Sequence, residues 1–363
     1  MRIGLVIYGT LETLSGGFYY DHRLVEQLRH RGDKIEIFSL PWSSYGRHLA
    51  HNFWPDFARR LRDAEIDLLL QDELNHPSLF WLNRRMRPRV TYPIASIVHH
   101  LRSSEARPAW QNKLYRLVER AYLTSVDGFI FNSQTTRQAV ERMAQNRPSV
   151  VVTPAGDRFR PELDEEAIIA RAHEPGPLRL LFVGNLIRRK GLHLLLAALA
   201  RLPRDAWRLE VAGGPTVDPG YPQTVRRQIA ASELNECVTL HGRLSDDELA
   251  RLLQHSQLLA VPSSYEGFGI VYLEGMGFGL PAIAGSRGGA AELITEGQNG
   301  FLLPAQDAAV LARHVLALHH DRDRLAEMGV AARRRYLAHP GWEESLAAVR
   351  PFLLALCHQD RRE

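Results

Sequence analysis

Two glutamates flank a glycine-rich turn in the second half of the chain. Residues 263–270 read SSYEGFGI, follow an apolar run and lead into a helical pattern that carries Glu274. Gly267 and Gly269 allow the backbone to approach a ligand closely, and the N–H groups at the helix start suit a phosphate. Glu274 and Glu266 could each accept hydrogen bonds from hydroxyls on either side of that phosphate. The pattern indicates a nucleotide-sugar site; an ordinary strand–helix turn is the alternative.

Three consecutive cations follow another apolar run. Arg188, Arg189 and Lys190 precede a helical pattern, where their charges could neutralise a diphosphate. The segment is not a P-loop, because Arg189 stands where that motif requires glycine before its lysine. A solvated basic turn is the alternative.

The first half carries weaker signals. Gly16 and Gly17 follow the first apolar run without the G-x-G-x-x-G pattern of a dinucleotide site, and a plain turn explains them equally. His99 and His100 end another apolar run, where His99 could donate to a sugar hydroxyl or act as a polar catalytic group. No third ligand stands at a readable spacing from them, so we predict no metal site.

Two other patterns have structural explanations that we prefer. Asp321 and Asp323 have the spacing of a divalent-ion motif, but they lie between two helical patterns, which favours helix capping. The apolar residues 80–82 precede four arginines and could form an interfacial membrane patch. We favour a core position for these apolar residues.

Apolar runs alternate with helical patterns along the whole chain, which is typical of parallel sheets covered on both faces. The strand-like runs are 3–7, 34–40, 66–71, 94–99, 128–132, 150–153, 178–183, 207–212, 237–240, 257–261 and 281–284. We therefore predict two doubly wound α/β domains, 1–172 and 173–343, separated at the Pro- and Gly-containing break 173–178, with a terminal segment 344–363. Ligands bind beyond the carboxyl ends of such strands, so we expect the site in a cleft between the domains.

Composition restricts the class of protein. The 363 residues are 45% hydrophobic and 24% charged, which excludes an overall disordered, collagenous or coiled-coil chain. Two cysteines are too few for a disulfide framework, and no apolar run is long enough to span a membrane. With a formal charge of only +4, we expect no nucleic-acid partner. We expect a cytoplasmic protein, with any membrane contact peripheral, at the inner face, through the N-terminal domain.

Together these motifs resemble the family-4 retaining glycosyltransferases (glycosyl transferase group 1), and the resemblance extends over nearly the whole chain. The matching positions are Gly16-Gly17, His99, 127–133, 153–157, 184–191, 241–245, Glu266 with Glu274, Gly288-Gly289, Glu292 and 297–301. The resemblance implies the GT-B fold, in which two Rossmann-like domains face each other across a cleft. It implies that domain 1–172 binds the acceptor, that domain 173–343 binds the nucleotide sugar, and that a helix within 344–363 crosses back onto the N-terminal domain. It also implies transfer of a hexosyl group from a nucleotide diphosphate sugar to a hydroxyl of a carbohydrate, lipid-linked or small-molecule acceptor.

The resemblance also implies roles for individual residues. Glu274 would bind the ribose hydroxyls, Glu266 the donor sugar, and the backbone of Arg243 and Leu244 the base. The remaining donor-binding residues would hold the diphosphate or the sugar: Gly16, Gly17, Asn185, Arg188, Arg189, Lys190, Gly267, Phe268, Gly269, Ile270 and Val271. The implied catalytic groups are His99, Glu266 and Lys190, with no metal and no cofactor.

One position departs from the family pattern. Asn185 stands where the family often has arginine, and an amide does not neutralise phosphate charge. Arg188 or Arg189 could substitute for it. The departure leaves open a nucleotide-sugar-binding protein without transfer activity. A GT-B nucleotide-sugar epimerase is a further alternative, against which the pair Glu266 and Glu274 argues.

Overall fold

Parallel strands alternate with helices in the computed structural model, which describes residues 1–12, 16–214, 220–304 and 307–359. The strands are β1 Arg2–Tyr8, β2 Lys34–Leu40, β3 Leu68–Asp72, β4 Ile94–Val98, β5 Gly128–Phe131, β6 Ser149–Val151, β7 Leu178–Val183, β8 Trp207–Ala212, β9 Val238–Gly242, β10 Leu258–Val261, β11 Ala282–Gly285 and β12 Gly300–Leu303. The helices are α1 Gly16–His30, α2 Tyr45–Ala50, α3 Pro55–Arg62, α4 His76–Met86, α5 Ala109–Leu123, α6 Gln134–Glu141, α7 Glu165–His173, α8 Leu192–Leu199, α9 Tyr221–Ala231, α10 Asp246–His255, α11 Ile270–Gly277, α12 Ala308–His320, α13 Arg322–Leu337, α14 Trp342–Leu346 and α15 Val349–Gln359.

The chain divides into two units at boundaries that differ from the predicted ones. The first unit contains Met1–Pro154 and the segment from Trp342 onward, and the second contains Ala155–Gly341. The first boundary therefore lies at 154/155 rather than 172/173, because helix α7 packs against helix α13 of the second unit. Arg171 of α7 fixes this packing by donating to the carbonyl oxygen of Phe278 at 2.6 Å. The break at 173–178 joins a helix to a strand within the second unit.

The first unit is built on a six-stranded parallel sheet in the order β2-β1-β3-β4-β5-β6. The chain leaves β1 in one direction to reach β2, then crosses back to β3 and continues to β6. Because such crossovers are right-handed, α1 covers one face of the sheet and helices α2 to α6 cover the other. The C-terminal helix α15 packs on β5, where an added Cβ at Gly128 would lie 2.9 Å from Leu356.

The second unit repeats this plan with the order β12-β11-β10-β7-β8-β9. Its strand order reverses between β7 and β10, which are hydrogen-bonded neighbours. The six strands are mostly apolar and buried, so one core of leucine, valine and alanine side chains surrounds them. The two doubly wound α/β sheets confirm the predicted fold class.

The structure confirms the predicted helix cap at Asp321 but only part of the core position predicted for residues 80–82. The Asp321 carboxylate accepts a hydrogen bond from the backbone N–H of Arg324 at 2.8 Å, which confirms its capping role, and Asp323 pairs with His173. Of residues 80–82, Leu82 is fully buried, but Trp81 is 44% exposed, so the core assignment is wrong for this side chain. No helix in the described part of the chain combines the length and apolar composition that a bilayer crossing requires.

Candidate functional site

The basic loop and the glycine-rich turn lie side by side in the second unit. They follow β7 and β10, the neighbouring strands at which the strand order reverses, where doubly wound sheets bind ligands. The backbone N–H of Ser264 donates to the carbonyl oxygen of Arg189 at 2.8 Å. Gly191 allows this close approach, because a Cβ there would lie 2.3 Å from the carbonyl oxygen of Pro262.

A buried carboxylate lies at the centre of this region. The Glu266 Oε1 atom accepts hydrogen bonds from Lys190 Nζ and Ser263 Oγ, each at 2.6 Å, and Arg189 Nη1 lies 3.6 Å from Oε2. Burial acts to raise the pKa of Glu266, but the charges of Lys190 and Arg189 outweigh it and lower the pKa to about 2. Glu266 is therefore ionised at neutral pH and orients the lysine ammonium.

Helix α11 begins directly after the turn. Gly269, at φ 99°, precedes its first residue and adopts a backbone conformation that favours glycine. Near the turn, a Cβ at position 288 would lie 1.8 Å from the carbonyl oxygen of Glu266, so this position also requires glycine. The first-turn N–H groups of a helix have no acceptor within it. The amides near Ile270 and Val271 can therefore receive an anion, and the positive end of the helix dipole favours it.

Glu274 lies on the same helix in a different electrostatic environment. Its side chain is buried, and burial raises its pKa to about 7, although Arg158 Nη1 lies 3.7 Å from its Oε1 and opposes the shift. Arg158 also donates from Nε to Asp246 Oδ2 at 3.0 Å. Asp246 is the first residue of α10, so Arg158 connects the ribose-binding candidate to the helix that follows Leu244.

The predicted base-reading backbone lies at the carboxyl end of β9. The ends of β7, β8 and β9 are held close together by glycines, since a Cβ at Gly213 would lie 1.9 Å from the carbonyl oxygen of Gly184. The Gly213 N–H donates to the carbonyl oxygen of Gly242 at 2.7 Å. Arg243 is exposed and Leu244 is half-buried. Their backbone therefore lies at the same edge of the sheet as the basic loop.

The three loop cations have different surroundings. Lys190 and Arg189 lie beside Glu266, and Arg189 also donates to the carbonyl oxygen of Tyr265 at 2.7 Å. The Arg188 side chain is exposed and forms no ion pair with described residues. Asn185 is half-buried in the same loop. Of the two arginines that could substitute for the missing one at 185, the structure brings Arg189 into the cluster.

The first unit brings Gly17 and His99 together. Helix α1 begins at Gly16, and a Cβ at Gly17 would lie 3.1 Å from the His99 ring. The ring's Nε2 lies 3.0 Å from Oδ1 of Asp21, which is fully buried on the same helix. His99 retains 14% side-chain exposure, so its imidazole is accessible at the end of β4.

The charge of this histidine is controlled by acidic neighbours that the sequence analysis missed. Burial acts to lower the pKa of His99, but the negative charge and hydrogen bond of Asp21 raise it to about 9. Burial, together with the charge of Asp21, raises the pKa of Asp72 at the end of β3. The only sequence signal for Asp21 is an aspartate among the apolar positions of α1. Arg158 gives no such signal.

Among the residues that the structure describes, two groups of side chains could hold a metal ion. Asp21, Asp72 and His99 have ligand atoms within 4.8 Å of one another, and Glu73, His76 and Glu119 form a second such group. In the first group, Asp21 and Asp72 would supply two further metal ligands beside His99. They come from α1 and from the end of β3, a combination that no spacing in the sequence indicates. Both groups are in the first unit, whereas Lys190 and Glu266 are in the second.

Comparison with known proteins assigns both halves of the chain. Residues 17–156 match the glycosyl transferase 4-like domain, and residues 164–335 match the family "Glycosyl transferases group 1". A D-inositol 3-phosphate glycosyltransferase of Nocardia farcinica is 30% identical over 88% of this chain and 80% of its own length. A GDP-mannose-dependent alpha-(1-6)-phosphatidylinositol monomannoside mannosyltransferase of Mycobacterium tuberculosis is 30% identical over 66% of this chain and 64% of its own length.

Solved structures share the fold at lower sequence identity. A sucrose-phosphate synthase of Thermosynechococcus elongatus superposes with a TM-score of 0.83 at 22% identity, covering 99% of both chains. Anabaena Alr3699/HepE in complex with UDP-glucose gives a TM-score of 0.75 at 18% identity, covering 98% of this chain and all of that one. The predicted resemblance is thereby confirmed: the chain belongs to the group 1 glycosyltransferases and has the GT-B fold.

Proposed function

We propose that this protein transfers a hexosyl group from a nucleoside diphosphate sugar to an acceptor hydroxyl, with retention of configuration and without a metal ion. The observation that carries the proposal is the ionised Glu266 beside Lys190 and Arg189, at the strand-order reversal and next to the start of α11. Retention rests on the match of Glu266 and Glu274 to the family-4 motif.

The charges of the second unit suit departure of a nucleoside diphosphate. As the bond between sugar and phosphate breaks, negative charge accumulates on the diphosphate. Lys190, Arg189 and the first-turn amides of α11 provide fixed positive groups for that charge. In its ionised form, Glu274 accepts hydrogen bonds from the ribose hydroxyls. Glu266 orients the ammonium group of Lys190 and contacts the donor sugar. For His99, in the first unit, we keep the catalytic role that the family resemblance implies.

The names of similar proteins suggest which classes of donor and acceptor this protein uses. One acts on D-inositol 3-phosphate and another is GDP-mannose-dependent and acts on a phosphatidylinositol monomannoside, while the Anabaena structure holds UDP-glucose. We infer a nucleoside diphosphate hexose as donor and a carbohydrate, polyol or lipid-linked hydroxyl as acceptor. Two cysteines are too few for a disulfide framework, and we infer a cytoplasmic location.

Release of nucleoside diphosphate tests the proposal. The protein should release the nucleoside diphosphate from one of the UDP-, GDP- or ADP-hexoses faster when an inositol or glycan acceptor is added. EDTA should leave the rate unchanged. Binding without release would identify a nucleotide-sugar-binding protein, and a changed sugar without release would identify an epimerase. Loss of activity in EDTA, restored by Mn²⁺, would contradict metal independence and implicate Asp21, Asp72 and His99.

Replacing Glu274 with glutamine should weaken donor binding while stabilising the unliganded protein. Between pH 4.5 and about 7, this carboxyl is ionised in the unfolded chain but protonated in the folded protein, so folding stability falls as the pH rises through that interval. Glu274→Gln removes this penalty, worth about 1–3 kcal/mol. We expect a higher melting temperature than wild type at pH 8, a smaller difference at pH 5, and donor affinity lowered about ten-fold or more in calorimetry. Unchanged donor affinity would contradict the ribose role.

A further inference from the structure

Helix α5 of the first unit exposes a stripe of large apolar side chains. Trp110, Leu114 and Leu117 are 63%, 55% and 67% exposed. Their i, i+4, i+7 spacing places them within an arc of about 60° on one side of the helix. A contiguous apolar stripe on a protein surface marks an interaction site more often than a scattered apolar residue does.

The side of α5 that faces the protein buries Tyr122 and Leu123 near its C-terminal end, together with one charged residue. Glu119 is completely buried there, and its Oε1 accepts a hydrogen bond from the backbone N–H of Ser103 at 3.0 Å. A surface helix ordinarily turns its apolar residues inward and its charges outward. The apolar stripe of α5 therefore contributes nothing to the core of the first unit.

Positive charge lines one flank of the stripe. Lys113, Arg116 and Arg120 are exposed and lie about 60–120° round the helix from Trp110. The only acidic residue of α5 is the buried Glu119. The exposed surface of this helix thus combines apolar side chains with positive charge alone.

The neighbouring helix exposes residues of the same kind. Helix α4 packs against α5 and carries the exposed Trp81, Arg84 and Arg85, without any acidic residue. Arg84 Nη2 donates to Thr124 Oγ1, at the end of α5, at 3.2 Å. We define the α5 face as these exposed residues: Trp81, Arg84, Arg85, Trp110, Lys113, Leu114, Arg116, Leu117 and Arg120.

We propose that the α5 face binds the surface of a negatively charged lipid bilayer. Tryptophan and leucine side chains partition into the boundary between head groups and acyl chains, and lysine and arginine pair with anionic lipids next to it. A second copy of the chain would present the same positive charges to this face, so charge complementarity favours lipid over self-association. This inference concerns a surface without donor-binding groups, and it stands or fails independently of the proposed transfer.

Vesicle co-sedimentation tests the proposal. With vesicles of phosphatidylcholine and phosphatidylglycerol at 3:1, the whole protein should sediment in low salt and be released as salt rises, because screening weakens the attraction. Pure phosphatidylcholine should retain at least ten-fold less protein. Leu114→Glu/Leu117→Glu should lower the partition coefficient at least ten-fold, and Arg116→Gln/Arg120→Gln about five-fold for each cation removed.

Leu337→Glu is the matched control, because Leu337 is 64% exposed but lies on α13 of the second unit. It should sediment like wild type, and all variants should keep the wild-type melting temperature and nucleotide affinity. Failure of the wild type to sediment with anionic vesicles would overturn the proposal. Equal binding to pure phosphatidylcholine, or an equal loss in Leu337→Glu, would also overturn it. A dimer in light scattering that Leu114→Glu/Leu117→Glu dissolves would assign the face to self-association instead.

Discussion

Lys190→Ala is expected to lower turnover about 10²–10³-fold, the effect typical of removing one fixed group that stabilises developing charge. The lysine ammonium lies 2.6 Å from Glu266 and is the cation that matches the family motif. Its removal also leaves the buried Glu266 without its closest positive partner, so we expect a lower melting temperature and a raised Glu266 pKa. Single-turnover rates with saturating donor measure the loss at the chemical step.

Arg188→Ala is the matched control for the lysine variant. Its side chain belongs to the same loop but is exposed, so we expect a rate close to that of wild type. Arg189→Ala should fall between the two, because Arg189 lies 3.6 Å from Glu266. Asn185→Arg should leave the rate unchanged if Arg189 compensates for the missing family arginine. A wild-type rate in Lys190→Ala would contradict the assignment of the phosphate cation.

His99→Ala should lower turnover about 10²-fold or more, as expected for loss of a positioned polar group. Asp21→Asn should act through the histidine. The charge of Asp21 raises the His99 pKa to about 9, so the amide variant should bring this pKa down toward or below its ordinary value of 6.5. If the protonated ring is the active form, wild-type activity should persist until the pH approaches 9, and the variant should lose activity at a lower pH.

The histidine C–H resonances and the pH–rate profile measure this shift directly. Glu26→Gln is the control, because Glu26 lies on the same helix but pairs at the surface with Arg23. It should leave both the His99 pKa and the profile unchanged. If Asp21→Asn lowers the rate equally at every pH and leaves the pH dependence unshifted, Asp21 only supports the fold.

The sequence predicted most of the central strands because they are short apolar runs, which parallel sheets bury on both faces. Three of them, 34–40, 178–183 and 207–212, have the predicted limits. The edge strand β12 was missed, since it has only four residues of mixed exposure, the first of which is the glycine of an Asn-Gly pair, and such a segment gives no periodic signal. The 154/155 boundary was also missed, because only the tertiary packing of α7 against α13 reveals it.

The sequence predicted best those site residues that a turn places close together along the chain. Glu266 and Glu274 are eight positions apart on one strand–turn–helix segment, so their joint role could be inferred from spacing. The partners of His99 could not, because Asp21 and Asp72 come from other elements and meet it only when β1, β3 and β4 are in register. Arg158 was missed for the same reason, since it precedes Asp246 by 88 residues.

The first unit consists of two separated stretches of chain, whereas the second is continuous. Trp342, at the start of the later stretch, is buried and packs edge-on against Tyr20 of α1 at a ring-centroid distance of 5.6 Å. A ribosome therefore completes all of the second unit before it has made Trp342. During synthesis, we expect the second unit to fold first. Part of the apolar surface of the N-terminal stretch should stay uncovered until the last helices of the chain have been made. Nascent chains stalled shortly after Gly341 should accordingly be the most dependent on chaperones.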